Sequence, residues 1–268
     1  MDIRYIDAHC HLQFDHYDKD REEIIAQMRE RGISAVVVGC DFESSRRAVQ
    51  LAERYDHLFA SVGLHPNHAG EEDFDADAYR ALAKSEKVAA IGECGLDYFR
   101  PGEVTSEVKR AQKCLFGTQI ALAAELDKPL IIHARPSRGA QDAYHDIAGI
   151  LREGKEKYPD LRGDMHFFAG GVAEAESFVA LGFTLSFTAV ITFARDYDEV
   201  ICATPLTNIL AETDAPYVAP ASRRGERNDP LAVVGVVAKI ADIRGEDIEA
   251  VRVGLLENTR LVFGLPLC

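Results

Sequence analysis

Basic residues are scarce in this chain: 30 lysines and arginines stand against 44 aspartates and glutamates, a net charge of −14. That balance argues against broad, non-specific coating of nucleic acid, but not against one held locally by a metal and a few arginines. No C-x-x-C pair and no framework spacing links the six cysteines, Cys10, Cys40, Cys94, Cys114, Cys202 and Cys268. They therefore read as reduced thiols of a cytoplasmic protein, not as a disulfide scaffold. No apolar run approaches membrane-spanning length, and Asp2, Arg4 and Asp7 interrupt the N-terminus where a signal peptide needs an apolar stretch. No membrane association is expected. No linker, low-complexity tract or repeat divides the chain, so residues 1–268 read as one domain, with 47% hydrophobic residues to fill its core.

What is present is alternation. Short apolar runs at Ile3–Ile6, Ala35–Gly39, Leu58–Gly63, Val88–Gly92, Pro129–Ile132, Asp164–Phe168, Phe183–Phe187 and Asn208–Ala211 read as strands. Between them, segments such as Asp20–Arg31, Glu43–Tyr55, Ser106–Leu126 and Ala173–Leu181 carry apolar residues at three- and four-residue steps, the helical period. Strand and helix in alternation imply parallel pairing, and eight such units imply a closed (β/α)8 barrel of the TIM type. Pro230 to Phe263 reads as two further helices that cover the barrel.

Catalysis in such barrels is usually sited at the strand ends, and here those ends are rich in metal-binding residue types. His9 and His11 close the first strand; one residue apart, they emerge on one face and can grip one cation. His65 follows the third strand, Glu93 and Asp97 the fourth, His133 the fifth; His166 lies on the sixth and Asp214 after the eighth. Singly, each has an ordinary structural reading: His133 as a core histidine, His166 in an aromatic cluster, Glu93 in a salt bridge, Asp214 as a turn former. Together those readings need the same coincidence on five strands.

Four histidines and two carboxylates exceed the needs of one four-coordinate ion and suit two. We assign one metal to His9, His11, Glu93 and Asp214, and a second to Glu93, His133 and His166, with Glu93 bridging. Two cations roughly 3.5–4 Å apart stabilise both the attacking and leaving oxygens of a phosphoryl displacement and lower the pKa of water. Asp214 is the candidate general base. Cys10 and Cys94, as strand neighbours of ligands, should point away from the metals. The donor set suits Zn2+, Mn2+ and, with more waters, Mg2+. His16, His57, His68 and His145 fall outside strand ends and read as surface or packing residues.

Several segments resemble the TatD-type metal-dependent deoxyribonucleases of the amidohydrolase superfamily. They are Asp7-Ala8-His9-Cys10-His11-Leu12, Gly63-Leu64-His65-Pro66, the stretches from Ile91 to Tyr98 and from Ile131 to Arg135, Glu212-Thr213-Asp214-Ala215-Pro216-Tyr217, and Arg224 to Pro230. The resemblance covers nearly the whole chain. It implies a distorted β/α barrel, a divalent-metal centre on the same six residues, and cleavage of DNA phosphodiester bonds, commonly from the 3′ end. Related barrels often bridge their metals with a carbamylated lysine; Glu93 in that place favours the TatD branch. There are two departures. Where the family usually has His-Cys-Phe-Ser-Gly, this chain has His166-Phe167-Phe168-Ala169-Gly170, without the hydroxyl. The stretch from His133 to His166 is also long, with extra residues around Glu153 to Arg162 that would lengthen a helix or reshape a cleft wall.

On this reading the substrate is DNA, as single strands or frayed ends. Arg135 is placed to fork onto a phosphate. Arg224 and Arg227, with Arg223, would bind further along the strand, or else be tied to Glu226 and Asp229. Phe168 would stack on a base or pack in the core. His65 would bind the scissile phosphate or protonate the leaving oxygen, and Asp97 would orient a ligand histidine. With so few basic residues near the mouth, a short footprint and a shallow salt dependence are expected. A monomer is the expected state. The rival activity is hydrolysis of another ester or amide, such as an aminoacyl-tRNA ester, with the same ligands and different loops. A non-catalytic metal-binding scaffold is the other rival, and the retained ligand set with Asp214 argues against it.

Overall fold

A computed structural model of the chain describes residues 2–70, 72–100 and 104–266; Cys268 lies outside the described residues. Eight strands, β1 (Tyr5–Cys10), β2 (Ile33–Val38), β3 (Leu58–Val62), β4 (Val88–Asp97), β5 (Leu130–Arg135), β6 (Gly163–His166), β7 (Thr184–Phe187) and β8 (Ile209–Ala211), form one parallel sheet in sequential order. The sheet curls into a TIM-type barrel. It closes where Cys10 bridges Ala215, the Asp214 N–H donating to the His9 carbonyl and the His11 N–H to the Ala215 carbonyl.

The helices α1 (Arg21–Glu30), α2 (Phe42–Arg54), α3 (Ala76–Leu82), α4 (Ser106–Glu125), α5 (Asp142–Lys157), α6 (Val172–Ala180) and α7 (Asp198–Ala203) connect successive strands. The expected closing pair is α8 (Val233–Arg244) and α9 (Ile248–Phe263), which pack on each other and, through α9, on β1 and β8. Of the stretch from Glu153 to Arg162, the first five residues continue α5, which runs to Lys157, and the other five lead into β6. Several helix starts are legible in side-chain chemistry. Asp41 accepts from the Ser44 N–H in a capping box, and Thr105 and Asp247 cap α4 and α9.

The core has two parts. A large cluster fills the space between barrel and helices, and a smaller one, with Ile6, Ala8, Val36, Val38, Ala90 and Ile131, lies inside the barrel. Phe263 and Leu265 join the inner cluster. Inside and outside should alternate along a strand, but the two strands that carry most of the site break the rule. On β1, Ile6 and Ala8 belong to the inner cluster and Cys10 to the outer one, with a register shift between Asp7 and Cys10. On β4, Ile91 and Cys94 both face the outer core although three residues apart, again across a register shift. Each irregularity re-aims the following side chains, a known use of bulges beside active sites.

Candidate metal centre

The irregularity in β1 turns His9 and His11 together towards the barrel mouth, their Nε2 atoms 3.2 Å apart. The Nδ1 of His11 lies 2.8 Å from the Val38 carbonyl, which fixes that nitrogen as the donor and leaves Nε2 as the free lone pair. Both Nε2 atoms face the same carboxylates: Glu93 Oε2 at 3.7 and 3.9 Å, and Asp214 Oδ1 at 3.9 and 3.4 Å. Cys10 and Cys94 point the other way, their thiols donating to the Val36 and Ile131 carbonyls.

Glu93 is 4% exposed and divides its oxygens between two sets of imidazoles. Oε2 faces His9 and His11, while Oε1 lies 2.9 Å from His133 Nδ1, 3.4 Å from His65 Nε2 and 3.8 Å from His166 Nε2. Burial opposes its ionisation, but the imidazoles, His65 foremost, outweigh that and hold the carboxyl well below its usual range. It is therefore an anion ringed by nitrogen donors. Gly95 makes room for this arrangement. Its φ is +128°, and a Cβ there would stand 2.1 Å from the His133 carbonyl oxygen, so only glycine lets β4 run so close to β5.

His166 stacks on His9 with ring centroids 3.5 Å apart, and its Nε2 is 3.9 Å from Asp214 Oδ1. Burial would lower its pKa, but the Glu212 carboxylate 2.9 Å from Nδ1 raises it to about 9. Asp97 Oδ2 lies 3.2 Å from His133 Nε2, within hydrogen-bonding reach. Three of the residue groupings able to hold a cation are drawn from the six expected ligands: His9, His11 and Glu93; His9, His166 and Asp214; and Glu93, His133 and His166. A fourth combines His65, Asp97 and His133. Buried imidazoles and carboxylates converging this closely fit hard or borderline divalent cations.

The expected substrate contacts fare differently. His65 is buried at the centre, its Nδ1 accepting from the Asn67 N–H and its ring 4.4 Å from that of His133. Arg135, at the end of β5, lies over the Phe99 ring at 4.3 Å. Phe168 is corrected to a packing residue. It is 1% exposed within a cluster of Tyr144, Phe178 and Phe187, so it offers no face to a base. Arg227 is likewise engaged elsewhere: it pairs with Asp20, donates to the His16 carbonyl and lies over Tyr17. Arg223 pairs with Asp229, as the structural alternative held, while exposed Arg224 lies 4.5 Å over Phe193. Ala169, where the family hydroxyl is missing, is exposed, and its N–H donates to the Tyr144 hydroxyl.

Four residues without an assigned role support the centre. Glu212 holds His166 and also accepts from the Phe167 N–H. Buried Asp7 accepts from the Thr213 N–H at 2.8 Å and the Thr213 hydroxyl at 2.6 Å, tying β1 to the segment that carries Asp214. Asn228 donates to the Thr213 and Val218 carbonyls, bracing the same segment. Cys40 lies 3.5 Å from Glu93 Oε2, its thiol pushed up to about 11, chiefly by burial. Asp7 and Glu212 each stand two residues before an expected ligand, so the strand period was an available signal; nothing local marked Cys40 or Asn228.

Comparison with known proteins bears on this geometry. A family model described as "TatD related DNase" matches residues 6–264. The chain is 36% identical over 261 residues to an "uncharacterized metal-dependent hydrolase YabD" of Bacillus subtilis strain 168, covering 96% of this chain and 98% of the other. It is 33% identical to a "3′-5′ ssDNA/RNA exonuclease TatD" of Erwinia amylovora, covering 97% and 99%. Among solved structures, a TatD homologue of Escherichia coli K12, YjjV, superposes with a TM-score of 0.88 at 30% identity, covering 99% of this chain and 100% of that one.

Proposed function

Because the chain belongs to the TatD-related DNase family of metal-dependent hydrolases acting on ester bonds, we propose that it cleaves nucleic-acid phosphodiester bonds. We take the substrate to be a single-stranded or frayed DNA end, digested from 3′ to 5′, and the centre to hold two divalent cations. One observation carries the two-cation reading: Glu93 directs one oxygen to His9 and His11 and the other to His133 and His166. A carboxylate so divided is suited to bridge. On this reading His9, His11, Glu93 and Asp214 hold one ion, and Glu93, His133 and His166 the other.

When bound, such ions neutralise phosphate charge and lower the pKa of water. The chain's own groups do the rest. Asp214, 9% exposed and held by its N–H to the His9 carbonyl, takes the proton of the attacking water. His65 faces Glu93 from the β3 loop and donates to the phosphate or the leaving oxygen. Arg135 neutralises a neighbouring phosphate. Arg224 supplies a further contact; Arg227, paired with Asp20, contributes through the loop it anchors.

The test uses chelator-stripped protein, with Mg2+, Mn2+ or Zn2+ returned, on single-stranded DNA labelled at either end. Metal-dependent shortening from the 3′ end, absent in Asp214→Asn, is the expected result. Two ions per chain without cleavage would move the search to aminoacyl esters and amides. No bound metal would overturn the reading.

A further inference from the structure

Among the described residues, two Phe or Tyr side chains are exposed: Phe99, at 46%, and Tyr217, at 44%. The other exposed large apolar side chains, Ile248, Val253 and Leu261, are aliphatic and all lie on α9. Singly exposed apolar residues are ordinary. What is not ordinary is where these two stand. Phe99 follows Asp97 by two residues and Tyr217 follows Asp214 by three, so each is hung from a carboxylate residue of the centre.

Their backbones are tied there. The N–H groups of Phe99 and Arg100 both donate to Asp97 Oδ1, at 2.9 and 3.0 Å, while Asp97 Oδ2 faces His133. One carboxylate thus positions a histidine of the centre and throws Phe99 outward. The Tyr217 N–H donates to the Asp214 carbonyl at 2.9 Å. Its ring leans edge-on against His11, centroids 6.1 Å apart, and His11 in turn stacks on Phe14 at 4.7 Å. Phe99 carries Arg135 over its ring at 4.3 Å and leaves much of the rest to solvent. Arg135 therefore holds Phe99 in place while keeping a charge beside it. The two rings leave the segments that follow β4 and β8, four strands apart in the eight-strand order.

An aromatic face beside a cationic group is what an unpaired base and its phosphate require, and stacking accepts any base. We infer that Phe99 and Tyr217 are stacking platforms for the unpaired bases on either side of the scissile phosphate. A base-paired end keeps both bases in the duplex stack and cannot use them, so the pair selects unstacked ends. They are positioning residues: they hold the strand and touch no reacting atom. The inference rests on the nucleic-acid reading above.

The test pairs protein variants with altered DNA. Phe99→Ala, Tyr217→Ala and the conservative Tyr217→Phe are assayed on short single-stranded DNA, with bases intact or with one abasic tetrahydrofuran unit at one or the other of the two terminal positions. For the wild type, removing either base should raise KM about 5- to 150-fold, the range of one stacked base. Each alanine variant should show a comparable rise on intact DNA, little change in kcat, and no further loss when the base removed is the one its own ring would stack on. Tyr217→Phe should behave as wild type. Unchanged KM in both alanine variants, or a full further loss at both abasic positions in each of them, would overturn the assignment. If the wild type cleaves no DNA, the nuclease reading fails separately. Stacking is then read from 2-aminopurine placed at the terminal positions: quenching by the wild type and not by the alanine variants supports it, and no quenching by the wild type rejects it.

Discussion

The Nδ1 of buried His166 lies 2.9 Å from Oε2 of buried Glu212, and the other oxygen of that carboxylate accepts from the Phe167 N–H at 2.8 Å. The ring is thereby fixed, with Nε2 towards Glu93 and Asp214. Glu212 does for His166 what Asp97 does for His133, so both histidines on this side of the centre are oriented by a carboxylate.

Glu212→Gln keeps the size of that group and removes its charge. Loss of an outer partner of a ligand histidine typically weakens metal affinity about 10- to 100-fold. Competition against a chelating dye should show that loss for Zn2+ or Mn2+ at the centre. Unaltered affinity would mean that His166 needs no such support.

Glu93→Gln addresses the proposed bridging role. An amide does not bring a full negative charge to two cations at once, so metal analysis after dialysis should find fewer ions per chain than in the wild type, and hydrolysis should be lost. A variant that retained the full complement would argue against a bridge at this residue.

Asp7→Ala removes the acceptor of both the Thr213 N–H and its hydroxyl in a buried setting. Leaving such groups unsatisfied costs about 1–3 kcal/mol each. For a chain of this size, Tm should fall by on the order of 5–10 °C. Because Thr213 precedes Asp214, kcat should fall more than KM changes. A thermal scan together with steady-state kinetics separates these effects.

Asp142 gives the acid limb of stability. Burial opposes its ionisation, but the Lys109 ammonium and the N–H and hydroxyl of Ser137 bring its carboxyl down to about 2. A carboxyl depressed from about 3.9 contributes fully above roughly pH 5 and loses that contribution as pH falls towards 2. The group is part-exposed, so solvent screening limits the effect to about 1 kcal/mol. Denaturant titrations of Asp142→Asn between pH 6 and 3 should show a flatter acid decline than the wild type. Parallel curves would remove Asp142 from the account.

The barrel and the identity of the converging side chains were legible because both rest on local pattern. Apolar runs alternate with helical periodicity, and His or carboxylate recurs at strand ends. Pattern did not show that β4 continues through Glu93 to Asp97, since Gly92 and Gly95 look like a strand's end when read alone. In the folded chain they permit the close approach of neighbouring backbone.

What only the tertiary structure decided is contact between distant residues. Strict alternation would send His9 to the face opposite Ala8, and the register shift in β1 overrides it. Asp7 meets Thr213 and Arg227 meets Asp20 across some two hundred residues of sequence. Phe168 and Phe99 are the same residue type near the same centre. One is enclosed by three other aromatic side chains, while the other is lifted into solvent by a turn on Asp97. Composition and period determine which elements form and which faces they bury. Which of two phenylalanines is free to meet a ligand depends on packing between elements, and that is settled only when the chain closes on itself.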